Sequence, residues 1–138
     1  LLKLHDLTFE LSYLEKARSL LTADSGRLVH YPSAYAQTLI ALDYHLDHAK
    51  EIAVIGPMHD ELTQKLLNWL RSSFIPNKTL GHALPEQNST LALVANKPMI
   101  GGEPTVYVCE SNVCKLPTSN LELVKQLISD VNSYSLSP

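Results

Sequence analysis

The two cysteines are the residues whose type and spacing most directly suggest chemistry. Cys109 and Cys114 are separated by four residues, which fits the loop of a β-hairpin. Paired Cα atoms across such a ladder lie about 4.5–5.5 Å apart, within the range that a disulfide requires. Closing so short a loop would stabilise the fold by only about 2 kcal/mol. Two reduced structural thiols are therefore favoured, a reversible redox pair is the alternative, and zinc is disfavoured because it needs four ligands.

A second group of candidate residues surrounds the start of a predicted helix. His30, Tyr31 and Tyr35 combine polar and aromatic side chains that can line a cleft, although tyrosine is equally common in packing. His45 and His48 stand three residues apart and could approach one metal ion. No carboxylate pattern completes a known metal site, so solvated positions at a helix end are favoured. We predict no metal site and no cofactor.

Several common functional motifs are missing from the sequence. Gly56-Pro57 follows a predicted strand, but no dinucleotide fingerprint or P-loop surrounds it, and no nucleophile elbow occurs. The formal net charge of −3 lacks the basic excess of nucleic-acid binders. No apolar run approaches the ~18 residues that span a bilayer, and no secretory signal is recognised. We therefore expect a non-secreted, cytoplasmic protein in a reducing compartment, with neither nucleic acid nor membrane as a partner.

The elements that position these residues begin with helices. The first residues of the sequence have apolar side chains at helical spacing. No residue before them could cap a helix, so this helix is expected to begin upstream. The pattern predicts further helices over about 13–23, ending at Gly26, and from Pro32 to about His48. So few helices cannot enclose a core alone. Residues 1–49 are therefore expected to form a helical hairpin segment whose apolar faces need a neighbour.

Residues 50–138 are predicted to form a small, mixed α/β domain of order β-α-β-(α)-β-β-α. The predicted elements are strands over 51–55, 78–84, 105–108 and 113–116, a helix capped by Asp60, a short helix or strand over 89–94 with helix favoured, and a helix beginning at Ser119. This order occurs in thioredoxin-like folds, and Pro104 before a strand resembles their cis-proline loop. A Rossmann-like unit fits nearly as well. The redox position of a thioredoxin, residues 56–59, holds no cysteine.

Several segments together resemble one known family. The string Tyr-Val-Cys-x4-Cys-x2-Pro over 107–117 is the most specific of them. The other segments are 4–8, 13–17, 31–37, 51–56 and 74–78. This combination resembles the C-terminal region of the thioredoxin-domain-containing proteins related to spermatogenesis-associated protein 20, and the resemblance spans nearly all of the chain.

The resemblance implies a longer parent. Its N-terminal part would be a thioredoxin-like domain, and its middle an (α/α)6 toroid similar to sugar epimerases and six-hairpin glycosidases. This chain would hold the last helices of the toroid and the whole small α/β domain. The family supplies no settled reaction, and its thioredoxin-like cysteines would lie upstream of Leu1, so no residue here inherits that role.

The favoured hypothesis is a non-catalytic C-terminal fragment with a structural or interaction role, and no activity is expected for it alone. Its expected partners are the missing upstream domains of the parent, or a second copy bound through the helical hairpin. One alternative is that His30, Tyr31 and Tyr35 contribute to a carbohydrate-processing site in the parent. Another is a redox module that uses Cys109 and Cys114. Only 18% of the residues are charged, below the typical ~25%, which predicts an apolar patch on the helical hairpin, filled by self-association.

Overall fold

Helices come first along the chain and a mixed α/β unit follows them. A computed structural model describes residues 1–47, 49–85 and 89–129. The elements in chain order are α1 (Leu2–Thr8), α2 (Leu11–His30), a 3₁₀ turn (Pro32–Tyr35), α3 (Ala36–Leu46), β1 (Lys50–Ile55), α4 (Glu61–Ser72), β2 (Lys78–Ala83), β3 (Thr105–Glu110), β4 (Val113–Cys114) and α5 (Leu121–Ser129). The predicted mixed α/β class is confirmed. Within the described ranges, no helix has both the length and the apolar character needed to cross a membrane.

The four strands form one mixed sheet in the order β2-β1-β3-β4. β1 and β2 are parallel, with Ile52 opposite Leu80, and α4 forms the crossover that a parallel pair requires. β3 lies antiparallel to β1, so that Val108 faces Ile52. β4 is antiparallel to β3 and completes the hairpin that the cysteine spacing predicted. The strands over 51–55, 78–84 and 105–108 are thereby confirmed to within a few residues.

β1 lies at the centre of the core because both of its faces are buried. On one face, Ile52 and Val54 cluster with leucines of α4 and with the buried side of α5. On the other face, Ala53 and Ile55 cluster with Leu93, which lies in the turns before β3. A strand covered on both faces needs a continuous apolar run rather than an alternating one. This is why the strand could be recognised from sequence alone.

Two helices of the α/β unit begin at side-chain caps. The Asp60 carboxylate accepts a hydrogen bond from the Leu62 amide at 2.8 Å, as the sequence predicted for the start of α4. The last helix begins two residues later than predicted. Asn120, not Ser119, provides the cap, since its side-chain oxygen accepts from the Glu122 amide at 2.8 Å.

α2 continues through the glycine that was predicted to end it. Gly26 does not adopt a positive φ, and the helix extends to His30. A glycine inside a helix costs about 0.5–1 kcal/mol, which the burial of Leu28 on the following turn offsets. The next predicted helix also differs at its start, because Pro32 opens a 3₁₀ turn and α3 begins only at Ala36.

The segment before β3 contains turns where a short helix was favoured over 89–94. Leu93 is fully buried there, and its amide donates to the carbonyl of Leu7 in α1 at 3.1 Å. Tertiary packing of this kind replaces the helical pattern that the local sequence suggested. The described residues contain no cis peptide bond, so Pro104 does not share the geometry of a cis-proline loop.

Candidate functional site

A polar cleft of about 270 Å³ lies where the N-terminal helices meet the sheet. Residues of α1, α2, α3, β1 and the β3–β4 turn line it. Its polar lining includes His5, Asp6, Arg18, His45, Glu51 and Asn112. A concave site with several convergent titratable groups is the default candidate for binding or catalysis. We refer to this site as the polar cleft.

A buried hydrogen-bonded cluster forms the inner wall of the polar cleft. The Tyr44 hydroxyl, on α3, donates to the carboxylate of Asp6, on α1. Thr79, on β2, lies 2.9 Å from the same carboxylate oxygen and 2.7 Å from the Tyr44 hydroxyl. All three side chains belong to buried residues. The cluster therefore ties two N-terminal helices to the sheet by polar contacts, which are costly to leave unsatisfied in an interior.

The environment of Tyr44 keeps its hydroxyl protonated. Burial, reinforced by the hydrogen bond to Asp6, raises the pKa of Tyr44 well above its usual range. The ammonium group of Lys3 lies 5.6 Å from the centre of the ring, a cation–π distance. Tyr44 is therefore a hydrogen-bond donor with a fixed orientation, which is suited to holding the Asp6 carboxylate in place.

Glu51 is the most unusual titratable group of the polar cleft. It lies in β1 directly before the apolar run of that strand and is only 6% exposed. The backbone amide of Asn112 donates to its two carboxylate oxygens at 3.2 and 3.4 Å. Burial raises the pKa of Glu51, while the Asn112 hydrogen bond acts in the opposite direction. A carboxyl group with a raised pKa beside a cleft can hold or release a proton, which is the chemistry of a general acid or base.

The end of α3 is fastened to the start of β2 beside the polar cleft. The side-chain amide of Asn77 donates to Asp43 and to Asp47, in each case at 2.8 Å. Asn77 is buried, and Asp47 contributes to the lining of the polar cleft. This double contact sets the position of the helix end from which His45 also reaches the cleft.

The predicted cysteine pair lies in the β3–β4 hairpin, whose turn contributes Ser111 and Asn112 to the lining of the polar cleft. Cys109 and Cys114 occupy opposite positions on β3 and β4 and are joined by a disulfide, with 3.8 Å between their Cα atoms. The expectation of two reduced thiols is therefore wrong, because the hairpin register brings the two sulfur atoms into bonding distance. Whether the pair takes part in redox chemistry stays a prediction.

The residues predicted to line a cleft lie away from the polar cleft. His30 and Tyr31 are exposed at the end of α2, with their ring centres 6.4 Å apart. Tyr35 is half-buried at the end of the 3₁₀ turn. None of the three lines the polar cleft. Their part in a cleft of a larger parent stays a prediction.

In the ranges 1–47, 49–85 and 89–129, no group of three or more His, Cys, Asp or Glu side chains could hold a metal ion. His45 lines the polar cleft. The second histidine considered for a shared metal, His48, lies outside the described residues.

The three N-terminal helices expose many large apolar side chains. We call this set the apolar helical surface, and its members are 44% to 78% exposed. It comprises Leu4, Leu11, Leu20, Val29, Ile40 and Leu46. A groove of about 330 Å³ between the helices is lined by Leu2, Ala17, Leu20 and Leu21, among others. Exposed apolar side chains therefore occur on all three N-terminal helices.

Sequence reasoning missed the buried hydrogen-bonded cluster beside the polar cleft. Asp6, Tyr44 and Thr79 are 35 to 73 positions apart, so no local spacing connects them. One local signal was available, since Glu51 begins an apolar run that is otherwise suited to a buried strand. A carboxylate in such a run is costly to bury and often marks a functional position.

Comparison with known proteins identifies homologues over nearly the whole chain. Spermatogenesis-associated protein 20 of Rattus norvegicus is 33% identical over an alignment of 132 residues, and the match covers 92% of this chain and 17% of the rat protein. The Homo sapiens protein of the same name is 32% identical over the same share of both chains. An uncharacterized protein of Caenorhabditis elegans is 26% identical over 130 residues, 94% of this chain and 18% of that protein. No protein-family model matches the chain, and neither does any solved structure.

These findings confirm the resemblance seen in the sequence. The chain spans about one sixth of the length of the relatives that it matches, as expected for a C-terminal region of that family. Such coverage supports the expectation that the chain forms part of a longer parent.

Proposed function

We propose that this chain, a homologue of spermatogenesis-associated protein 20, is a non-catalytic C-terminal part of a larger protein whose N-terminal helices dock onto the upstream part of that parent. The apolar helical surface carries the proposal, because its six side chains are 44% to 78% exposed. Burying one leucine contributes about 1.5–3 kcal/mol. Leu11 and Leu20 are nine positions apart and so lie on opposite faces of α2, which fits helices that a larger partner contacts from more than one side.

The upstream part of the parent is the proposed occupant for two reasons. The relatives extend well beyond the matched region, which is only 17% of the rat protein. Docking within one polypeptide also benefits from a high effective concentration, which a separate partner lacks. Self-association of two copies through the same helices is the competing occupant.

The proposal keeps the predicted division into a helical segment, 1–49, and a small α/β domain, 50–138. In it, the helices complete an (α/α)6 toroid, and the α/β domain is thioredoxin-like. The strand order β2-β1-β3-β4, with one parallel and two antiparallel pairings, supports this over a Rossmann-like unit, whose sheet is mostly parallel. The cluster of Asp6, Tyr44 and Thr79 would hold the helices in a fixed orientation on that domain.

The docking role can be tested by reconstitution. The upstream part of the parent is produced as a separate polypeptide, and its affinity for the 138-residue chain is measured by titration calorimetry. Leu20→Asp places a charge in the groove of the apolar helical surface. Leu123→Asp makes the same change on α5, where Leu123 is 47% exposed, and serves as the matched control.

We expect the wild-type chain and the Leu123→Asp variant to bind with similar affinity. The Leu20→Asp variant should bind at least about tenfold more weakly, the change expected when one well-packed contact is lost. Failure of the upstream polypeptide to bind, or equal binding by both variants, would overturn the proposal. Light scattering that shows a wild-type dimer disrupted by Leu20→Asp would favour the second copy as occupant.

A second candidate function is a contribution to a carbohydrate site of the parent. It is favoured by the exposed, paired rings of His30 and Tyr31, because an aromatic ring offers an apolar face with a polar edge. The polar cleft adds a second location rich in hydrogen-bonding groups. Crystals of the full-length parent soaked with neutral sugars would test this, and density at neither location would argue against it.

A redox role for Cys109 and Cys114 is the remaining candidate, favoured by their disulfide. We further propose a cytoplasmic location for the parent, where a reducing environment would act on such a bond. Fluorescence microscopy of the tagged parent tests the location.

A further inference from the structure

We propose that the disulfide between Cys109 and Cys114 is a redox-controlled clamp that shapes the polar cleft through the turn Ser111–Asn112. The clamp connects three features: a bond that a dithiol can reduce, a two-residue hairpin turn beside that bond, and a buried carboxylate bound by the turn. This role goes beyond the docking function proposed above and does not depend on it.

The first step links the disulfide to the turn. Ser111 and Asn112 connect β3 to β4, and both have positive φ values, 49° and 64°. Positive φ at both positions is what a two-residue hairpin turn of type I′ requires, and asparagine adopts this conformation more readily than serine does. β4 has only two residues, and three backbone bonds extend the pairing with β3: one from the Lys115 amide to the Val108 carbonyl, and two exchanged between Val106 and Thr118. The disulfide is the covalent constraint on this short hairpin.

The second step links the turn to the polar cleft. The Asn112 amide donates to both carboxylate oxygens of Glu51, at 3.2 and 3.4 Å. Ser111, Asn112 and Glu51 all contribute to the lining of the polar cleft. Because Glu51 is buried, losing this donor would leave its carboxylate poorly solvated. A change in the turn must therefore alter the shape and the charge environment of the polar cleft.

The third step is the chemistry of opening. Cys114 is exposed and Cys109 is only 2% exposed, so a thiolate of a small dithiol would attack the sulfur of Cys114. The Cys109–Cys114 bond breaks, and the Cys109 sulfur leaves as a thiolate that takes up a proton. The second thiol of the reductant then displaces Cys114, which is also protonated. The pair gains two electrons and two protons, and the dithiol becomes a cyclic disulfide.

Amide hydrogen exchange measured by NMR tests the clamp on the 138-residue chain. Exchange at Asn112 is compared before and after complete reduction by dithiothreitol, with the thiols counted by alkylation and mass spectrometry. Val124 provides the internal reference, because its amide donates to the Asn120 carbonyl in α5 and its side chain is fully buried. The carbon chemical shift of the Glu51 carboxyl group reports on the polar cleft directly.

On reduction, we expect the exchange rate of Asn112 to rise about tenfold more than that of Val124, and the Glu51 signal to shift. Cys109→Ala/Cys114→Ala should show fast exchange at Asn112 with and without reductant. If this variant does not fold, the Asn112 exchange rate and the Glu51 signal of the reduced wild-type chain test the proposal. Unchanged Asn112 exchange and an unchanged Glu51 signal after full reduction would overturn the clamp. So would an equal acceleration at Val124, which indicates global unfolding.

Discussion

Tyr44 donates a hydrogen bond to Asp6 across 38 positions of sequence, and this contact joins α3 to α1 at the edge of the sheet. Thr79 of β2 shares the same carboxylate oxygen. The arrangement makes the inner wall of the polar cleft part of the structural framework. A side chain that stabilises the fold here also orients the groups that line the cleft.

Tyr44→Phe is expected to lower the free energy of unfolding by about 1–3 kcal/mol, because it leaves the buried Asp6 carboxylate without its tyrosine donor. Urea denaturation followed by circular dichroism measures the change. Tyr13→Phe, on the partly buried side of α2, removes a hydroxyl outside this cluster and should stay within about 0.5 kcal/mol of the wild type. Equal effects of the two variants would show that the cluster does not stabilise the fold.

Two glycine-to-alanine variants should change stability in opposite directions. A Cβ at Gly56 would lie 2.5 Å from the Thr63 hydroxyl and 3.0 Å from Pro104 Cβ, so Gly56→Ala should destabilise by about 1–3 kcal/mol. Gly26 lies inside α2 with no atom within 4 Å of an added Cβ. Gly26→Ala should therefore stabilise by about 0.5–1 kcal/mol. Thermal unfolding of both variants measures the two changes in stability. If both changes have the same sign, the packing argument is contradicted.

Removing the disulfide should lower stability modestly. Cys109→Ala/Cys114→Ala is expected to reduce the free energy of unfolding by about 2 kcal/mol, because the bond closes a loop with a sequence separation of only 5. Denaturant titration of the variant and of the wild type, with and without reductant, measures this. Reduction should destabilise only the wild type. A response of the variant to reductant would point to a different cause.

Glu51 should make stability fall as the pH rises. Burial raises the pKa of Glu51 above its ordinary value of 4.5, so the folded state binds this proton more tightly than the unfolded state. Stability is then lost as the pH increases from about 4.5 through the raised pKa, because the folded state must bury a charge. Glu51→Gln carries no titrating proton, so its stability relative to the wild type should increase over that range and then level off.

Urea denaturation at a series of pH values measures this difference. Glu15→Gln makes the same chemical change at an exposed position of α2 and reports the background effect of losing a carboxylate. A difference between Glu51→Gln and the wild type that does not vary with pH would contradict the assigned role of burial.

Local patterns in the sequence were sufficient for the central elements of the α/β unit. The apolar run of β1, the Asp60 cap of α4 and the hairpin around Cys109 and Cys114 all depend on residues a few positions apart. Steric and hydrogen-bonding preferences act at that range, so spacing alone predicts them. The family resemblance seen in the sequence is also confirmed.

Elements near Gly26 and Leu93 were predicted incorrectly because burial outweighed local preference. α2 passes through Gly26 to bury Leu28, and the turns around Leu93 replace a helix to pack against β1 and α1. Each outcome depends on what covers the apolar side chains. That covering is decided by parts of the chain distant in sequence.

The sequence by itself thus determined the mixed α/β class, the β-hairpin that pairs the cysteines and the apolar character of the N-terminal helices. The tertiary structure decided the polar cleft. Its cluster of Asp6, Tyr44 and Thr79 and the contact between Glu51 and Asn112 join residues 35 to 73 positions apart. Only packing of the helices onto the sheet removes water from these groups, and that desolvation makes their hydrogen bonds and raised pKa values possible.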